Sequence, residues 1–222
     1  CPVYVAPLEW ISKIAGFHVH RGVLACGYRL DDRALSPRVA LEQVLNQEKC
    51  CLLLAEGITN VDNMGALFRN AAAFGVDGIM LDPTCCDPLY RKAIRVSMGH
   101  VLGMPYGMSQ DWEADLDWLV LEHQVTLVVA ETYSQACDVR SIVSPNRMGL
   151  VVGSEGSGVS SATCQRSQLV AKIPMADAKT SLNVATAAAV MLFALLKDHS
   201  KRPDQASVAE SGQRAPAPED YS

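Results

Sequence analysis

Residues 49–56 contain the run Cys50-Cys51-Leu52-Leu53-Leu54-Ala55, apolar at every position and without alternation. A strand that turns no face to water must be covered on both sides, which is the condition of strands in a parallel sheet flanked by helices. Residues 125–130 and 148–152 are similarly apolar, and 22–28, 76–81 and 169–173 read as further strands. Helical stretches lie between them: 7–15, 37–45, 64–74, 88–96, an acidic 111–123, and 184–196. Ser36 caps the second of these with Pro37 at its first position, and Gly75 closes the third. The expected class is therefore α/β, a mainly parallel sheet with helices on both faces.

The strand at 169–173 stops at Pro174, which cannot donate to a sheet ladder and disfavours helix at Ile173. Six mostly small or polar residues pass before Ser181 and Asn183 open the apolar helix 184–196. Both residues are good capping types. Polar side chains between a buried strand and a buried helix equally suit a ligand site at a strand's carboxyl end. The local sequence leaves both readings open.

With 222 residues, 49% of them hydrophobic, the chain can build one substantial core and a small accessory piece. No apolar run reaches the ~18 residues that a membrane span requires. No charged leader with a cleavage site is present, so secretion is not expected. The eight cysteines have no C-x-x-C spacing, which removes support for zinc ribbons and thioredoxin-type motifs. A reducing cytoplasm is the expected location. The net charge of −5 excludes a protein that lives on non-specific phosphate attraction, so nucleic acid would need a local patch. From about residue 199 the composition turns to Ser, Pro, Gln, Glu and Ala, and 199–222 is expected to be a disordered tail.

Three stretches could carry chemistry. Residues 56–70 sit at the carboxyl end of the first buried strand and open a helix that Asn60 or Asn63 can cap. Leu67, Ala71 and Phe74 recur at core spacing, while Arg69 and Asn70 fall off that face. Gly65, one turn before Arg69, is expected to leave room for that side chain or for a ligand. A solvated surface arginine is the plain alternative. Residues 150–160 carry Gly153, Gly156 and Gly158 after a buried strand, so the backbone can turn tightly and approach a ligand. No Lys follows the last glycine and the spacing is not a dinucleotide fingerprint. Glu155 makes the loop suited to a cationic or neutral ligand; an ordinary strand-to-helix turn is the alternative. The third stretch is basic, with Arg91, Lys92 and Arg95 at helical neighbour spacing. It is either a solvated helix face or a phosphate-positioning surface. His18, His20 and Arg21 form a smaller patch, and no metal is expected there because further ligands are missing nearby.

Taken in order, Asn60 through Ala71, then Val152 through Ser160, then Ile173-Pro174-Met175 through Ser181-Leu182-Asn183-Val184 resemble the three motifs of the SpoU-type (TrmH-like) RNA ribose 2′-O-methyltransferases of the knotted SPOUT superfamily. The resemblance covers roughly residues 47–197. It implies a carboxyl-terminal deep trefoil knot, bound S-adenosyl-L-methionine, a homodimer, and structured RNA (rRNA or tRNA) as partner. It implies catalytic roles for Arg69, Asn63, Glu155, Ser181 and Asn183. Cofactor contacts are implied at Val152, Gly153, Ser154, Glu155, Gly158, Ile173, Met175, Ser181, Leu182 and Asn183, and RNA contacts are expected at Arg91, Lys92, Arg95, His20 and Arg21. Asp177 stands where the family usually has glycine, which bears on the geometry of the cofactor loop. Residues 2–29 resemble the end of a small RNA-binding domain, so 1–46 reads as its remnant plus a linker and 47–198 as the methyltransferase domain. With Cys at position 1, the start of that small domain is expected to be missing.

The resemblance assigns the base role to Arg69. Arginine stays protonated in nearly all proteins, so stabilising a developing alkoxide asks less of it. Two rival classes are a non-catalytic RNA- or cofactor-binding relative and a nucleotide-dependent oxidoreductase. Intact Arg69, Asn63, Glu155 and Asn183 oppose the first. The second predicts a glycine fingerprint on the first strand with an acidic partner about twenty residues on, and the chain has neither.

Overall fold

The structure is a computed structural model that describes residues 2–16, 18–20, 22–28, 36–132, 135–177 and 181–196. The chain divides into two compact units, Cys1–Asp32 and Arg33–Ser222. In the first, α1 (Leu8–Ala15) ends at Gly16, whose φ of 72° is the left-handed conformation of a helix C-cap. Ser12 Oγ accepts the backbone N–H of Val19 at 3.1 Å and holds the following turn against the helix. Residues 22–28, expected as a strand, are irregular. Val23 and Leu24 are exposed, and an apolar run that joins no ladder and covers no core has nothing to hold it extended.

The second unit opens with two short helices, α2 (Pro37–Ala40) and α3 (Glu42–Leu45), where one continuous helix was expected. Leu41 between them, at φ −103° and ψ 0°, interrupts the helical run. Both helices fall within the second compact unit. Leu41 fills the space that a side chain on Gly78 would need, with its Cδ2 at 2.6 Å from that Cβ position, and Pro37 does the same at Gly107.

Among the described residues seven strands follow: β1 (Cys50–Ala55), β2 (Gly78–Leu81), β3 (Tyr106–Met108), β4 (Thr126–Ala130), β5 (Cys137–Asp138), β6 (Arg147–Val152) and β7 (Leu169–Lys172). They form one sheet in the order β3-β2-β1-β6-β4-β7-β5, and every pairing is parallel. The helices between them are α4 (Val61–Phe74), α5 (Arg91–Val96), α6 (Trp112–Asp117), α7 (Ser161–Arg166) and α8 (Val184–Leu195).

Both faces of the sheet are buried, as the unalternating strands require. On one face Cys51, Leu53 and Ala55 of β1 join Leu67 and Phe68 of α4 and Met191, Leu192 and Leu195 of α8. On the other, Leu52 and Leu54 meet Leu41, Leu116 and Leu119. Phe68 is 1% exposed and stands edge-on to Tyr106, ring centroids 5.4 Å apart. Such a pair is worth about 0.5–1.5 kcal/mol beyond its buried area.

The chain runs outward from β1 to β2 and β3, then crosses to β4, leaving a gap that β6 later fills. The neighbouring carboxyl ends of β1, β6 and β4 therefore meet where the direction of winding reverses. In open α/β sheets a crevice forms at that point.

Candidate functional site

Val152 ends β6, and Gly153–Gly158 folds back on itself: Ser154 and Gly158 form an antiparallel bridge, and Gly158 N donates to Ser154 O at 3.0 Å. A Cβ on Gly153 would overlap the carbonyl of Gly158, so this turn admits only glycine there. Gly158 has φ +67° and stands against the carboxylate of Glu131, closing the loop on the end of β4. The first glycine and the last are thus required by geometry, and Glu155 sits at the exposed tip between them.

Two helices deliver amides to that tip. Asn60 caps α4, its side chain accepting from Asp62 N at 2.8 Å and Asn63 N at 3.3 Å, which sets Asn63 in the first turn. Asn183 caps α8 in the same manner, accepting from Ala185 N at 3.0 Å and Thr186 N at 3.3 Å. The Nδ2 of Asn63 donates to Glu155 Oε1 at 2.8 Å, and the Nδ2 of Asn183 donates to the same oxygen at 2.7 Å. Asn183 Nδ2 also reaches Asn63 Oδ1 at 2.8 Å. Three residues from three distant parts of the sequence close one hydrogen-bonded triangle.

Behind the triangle lies a cavity of about 640 Å³, within the roughly 300–1,000 Å³ range of small-molecule sites. All ten residues expected at the cofactor, from Val152 through Asn183, line it. Ile173, Leu182 and Met191 give it an apolar wall, while Glu131 and Glu155 supply carboxylates. Among the described residues no lysine or arginine lines it. Such a lining suits a neutral or cationic ligand and disfavours a phosphate.

Of the residues expected to act in catalysis, Asn63, Glu155 and Asn183 are joined directly and Ser181 lines the cavity. Arg69 stands apart, exposed on α4 and outside the cavity lining. The room expected at Gly65 does not exist. A Cβ there would lie 2.7 Å from Ala93 O and from Val96 Cβ, so this glycine lets α5 pack against α4. Asp177 is exposed and does not line the cavity. Arg91, Lys92 and Arg95 form an exposed face of α5, with Lys92 Nζ paired to Asp62 Oδ2 at 2.6 Å. His18 and His20 are exposed with rings 4.5 Å apart, and Arg21 lies outside the described residues. Among the described residues no cluster could hold a metal ion.

Three carboxylates outside the expected set share one sequence signal, an acidic residue directly after a continuous apolar strand. Glu56 follows β1 and accepts from Thr163 Oγ1 at 2.8 Å and from Ser160 N at 3.3 Å, tying the segment after the glycine loop to the central strand. Asp82 follows β2 and accepts the N–H of Gly57 at 3.1 Å, fixing the turn that leads into α4. Glu131 follows β4 and lines the cavity itself.

A parallel α/β domain with a switch-point cavity closed by a glycine loop and two capped helices defines a small-molecule-binding domain. Residues 51–193 match the model of the SpoU rRNA Methylase family, and the chain belongs to that family. It is 38% identical over 195 residues to an uncharacterised tRNA/rRNA methyltransferase of Mycobacterium bovis, covering 86% of this chain and 65% of that protein. The chain thus spans just under two thirds of that relative's length. It is 27% identical over 194 residues to the 23S rRNA (guanosine-2′-O-)-methyltransferase RlmB of Haemophilus ducreyi, covering 87% of this chain and 78% of that protein. The crystal structure of the SpoU methyltransferase AviRb from Streptomyces viridochromogenes in complex with AdoMet superposes with a TM-score of 0.67 at 25% identity, over 72% of this chain and 62% of that one.

Proposed function

We propose that this protein transfers a methyl group from S-adenosyl-L-methionine to a ribose 2′-hydroxyl of rRNA or tRNA. The observation that carries the reading is the Asn63–Glu155–Asn183 triangle at the rim of a cavity with carboxylates and no described cation in its lining. That lining fits an adenosyl sulfonium: an apolar wall for the base, carboxylates for hydroxyls and positive charge, and backbone that approaches closely where glycine permits it.

S-Adenosyl-L-methionine bound there supplies an electrophilic methyl on a positively charged sulfur. The residues of the chain do the rest. Asn63 and Asn183 hold Glu155 Oε1 from two helix starts, which fixes the carboxylate before substrate arrives. Among the described residues Glu155 Oε2 has no such partner, so it would accept the hydrogen bond of the ribose hydroxyl and take its proton as the oxygen–methyl bond forms and the sulfur–methyl bond breaks, leaving S-adenosyl-L-homocysteine. A positioned nucleophile gains chiefly from this pre-organisation. Ser181 adds a hydroxyl on the same wall. Arg69, a permanent cation on α4, stabilises charge on the ribose oxygen and an adjoining phosphate.

The finer features follow the same reading. The carboxyl-terminal part of the domain forms a deep trefoil knot, in keeping with the bond from Asn183 to Glu155 of the glycine loop. The active form is a homodimer, in keeping with the exposed Val190 and Phe193 on α8 and the apolar cavity of about 460 Å³ beside them. Cys1–Asp32 contributes to RNA binding through His20 and Arg21, and Arg91, Lys92 and Arg95 hold phosphates. The enzyme meets its RNA in the cytoplasm.

The decisive experiment incubates the protein with methyl-labelled S-adenosyl-L-methionine and total rRNA and tRNA, then maps the label by nuclease digestion. Label on a ribose 2′-oxygen is expected. Label on a base would overturn the reaction class, and tight NAD binding without affinity for S-adenosyl-L-methionine would overturn the cofactor.

A further inference from the structure

Glu131 follows β4 directly and lines the cavity beside Ala130 and Thr132. Its backbone N–H donates to Ala171 O at 3.0 Å, which anchors the residue to β7. Oε1 accepts the backbone N–H of Val159 at 2.7 Å, and a Cβ on Gly158 would overlap that same oxygen. One carboxylate oxygen therefore clamps the root of the glycine loop. Among the described residues Oε2 takes only the long 3.3 Å bond from Thr132 N. A carboxylate offers about four lone-pair sites, so acceptor capacity remains at the cavity surface.

The two carboxylates of the cavity stand at opposite ends of the loop, Glu155 at its tip and Glu131 at its root. The tip is where Asn63, Asn183 and Glu155 converge, so the reacting methyl belongs there. The root is left with the nucleoside. An acidic side chain at a strand's carboxyl end is a recurrent acceptor for ribose hydroxyls, whose O–H groups match its lone pairs. We infer that Glu131 is a further cofactor-binding residue, whose carboxylate takes the ribose 2′,3′-diol of the adenosyl group while holding the glycine loop around it. This inference rests on the methyltransferase reading above.

E131Q separates the two tasks. Its amide oxygen keeps the Val159 N–H, but its amide nitrogen cannot accept, so the hydroxyl hydrogens lose their charged acceptor. Calorimetric titration of wild type and E131Q with S-adenosyl-L-methionine and S-adenosyl-L-homocysteine is the test. Losing a hydrogen bond to a charged acceptor should weaken both ligands by the same factor, about ten- to a hundredfold. Hydrogen exchange at Val159 should stay as slow in E131Q as in wild type and accelerate in E131A. A measurement on unaltered protein guards against a folding defect: 2′-deoxyribose S-adenosyl-L-homocysteine should bind wild type at least several-fold more weakly than its parent. Unchanged affinity of E131Q for both ligands would overturn the inference. So would a loss confined to the methylated ligand, which would place the sulfonium at Glu131 instead. A wild-type protein that binds neither ligand would sink the methyltransferase reading, and this inference with it.

Discussion

Asn183 divides its amide between two tasks. Oδ1 caps α8 through Ala185 and Thr186, while Nδ2 donates to Glu155 and Asn63. A bland cap and a functional ligand are here the same side chain, which is why the sequence alone left both readings open. The tasks can be separated because serine caps about as well as asparagine but lacks the amide donors. N183S should melt within about 0.5 kcal/mol of wild type, whereas N183A should lose about 1 kcal/mol. Both should lose methyl transfer by roughly a hundredfold or more. Urea melts beside initial rates would decide, and wild-type turnover in N183S would reduce Asn183 to a cap. Arg69 poses the complementary case. It is exposed and bonds to no described residue, so R69A should leave the melt and cofactor affinity unchanged while lowering turnover about 10²–10³-fold. Wild-type turnover in R69A would make it a surface arginine.

At the scale of elements, β1 and α4 could be read from the sequence because their signals are redundant. Six consecutive buried positions marked β1, and α4 had Asn60 before it and Gly75 after it. Other elements were illegible for physical reasons. β3 has three residues and β5 has two, too few to carry any period. Residues 22–28 have strand composition but no partner. The expected helix at 111–123 keeps α-form only over Trp112–Asp117 and widens to a π-turn over Trp118–Glu122. Gly65 was misread because a missing side chain looks the same whether the space admits a ligand or a neighbouring helix. Since α5 occupies it, G65A should force α4 and α5 apart and cost about 1–3 kcal/mol. A denaturant melt of G65A matching wild type would mean that α5 yields without strain. The residues expected at the cofactor line one cavity because three separate motifs marked them, whereas Arg69 stands outside it and Glu131, an acidic residue after an apolar strand, belonged to none of the three.

For the whole molecule the governing fact is charge placement. The net charge is −5, yet RNA is a polyanion, so the proposed binding has to be local. Arg91 and Arg95 lie on an exposed helical face, and Lys92 shares its charge with Asp62 at 2.6 Å. That pair is exposed on both sides and worth less than about 1 kcal/mol, so a phosphate can compete for the lysine, but only by releasing Asp62 next to the incoming backbone. Arg95 should therefore carry more of the salt dependence than Lys92. Each phosphate contact contributes roughly 0.7–0.9 to the slope of log affinity against log salt. Replacing Arg91 and Arg95 with alanine should flatten that slope by about 1.5 and weaken different structured RNAs by similar factors. Adding the Lys92 replacement should flatten it by less than a further full contact. Filter-binding titrations across several salt concentrations would measure all three. If the triple variant keeps the wild-type slope, the α5 face is merely solvated and the RNA docks on another part of the protein.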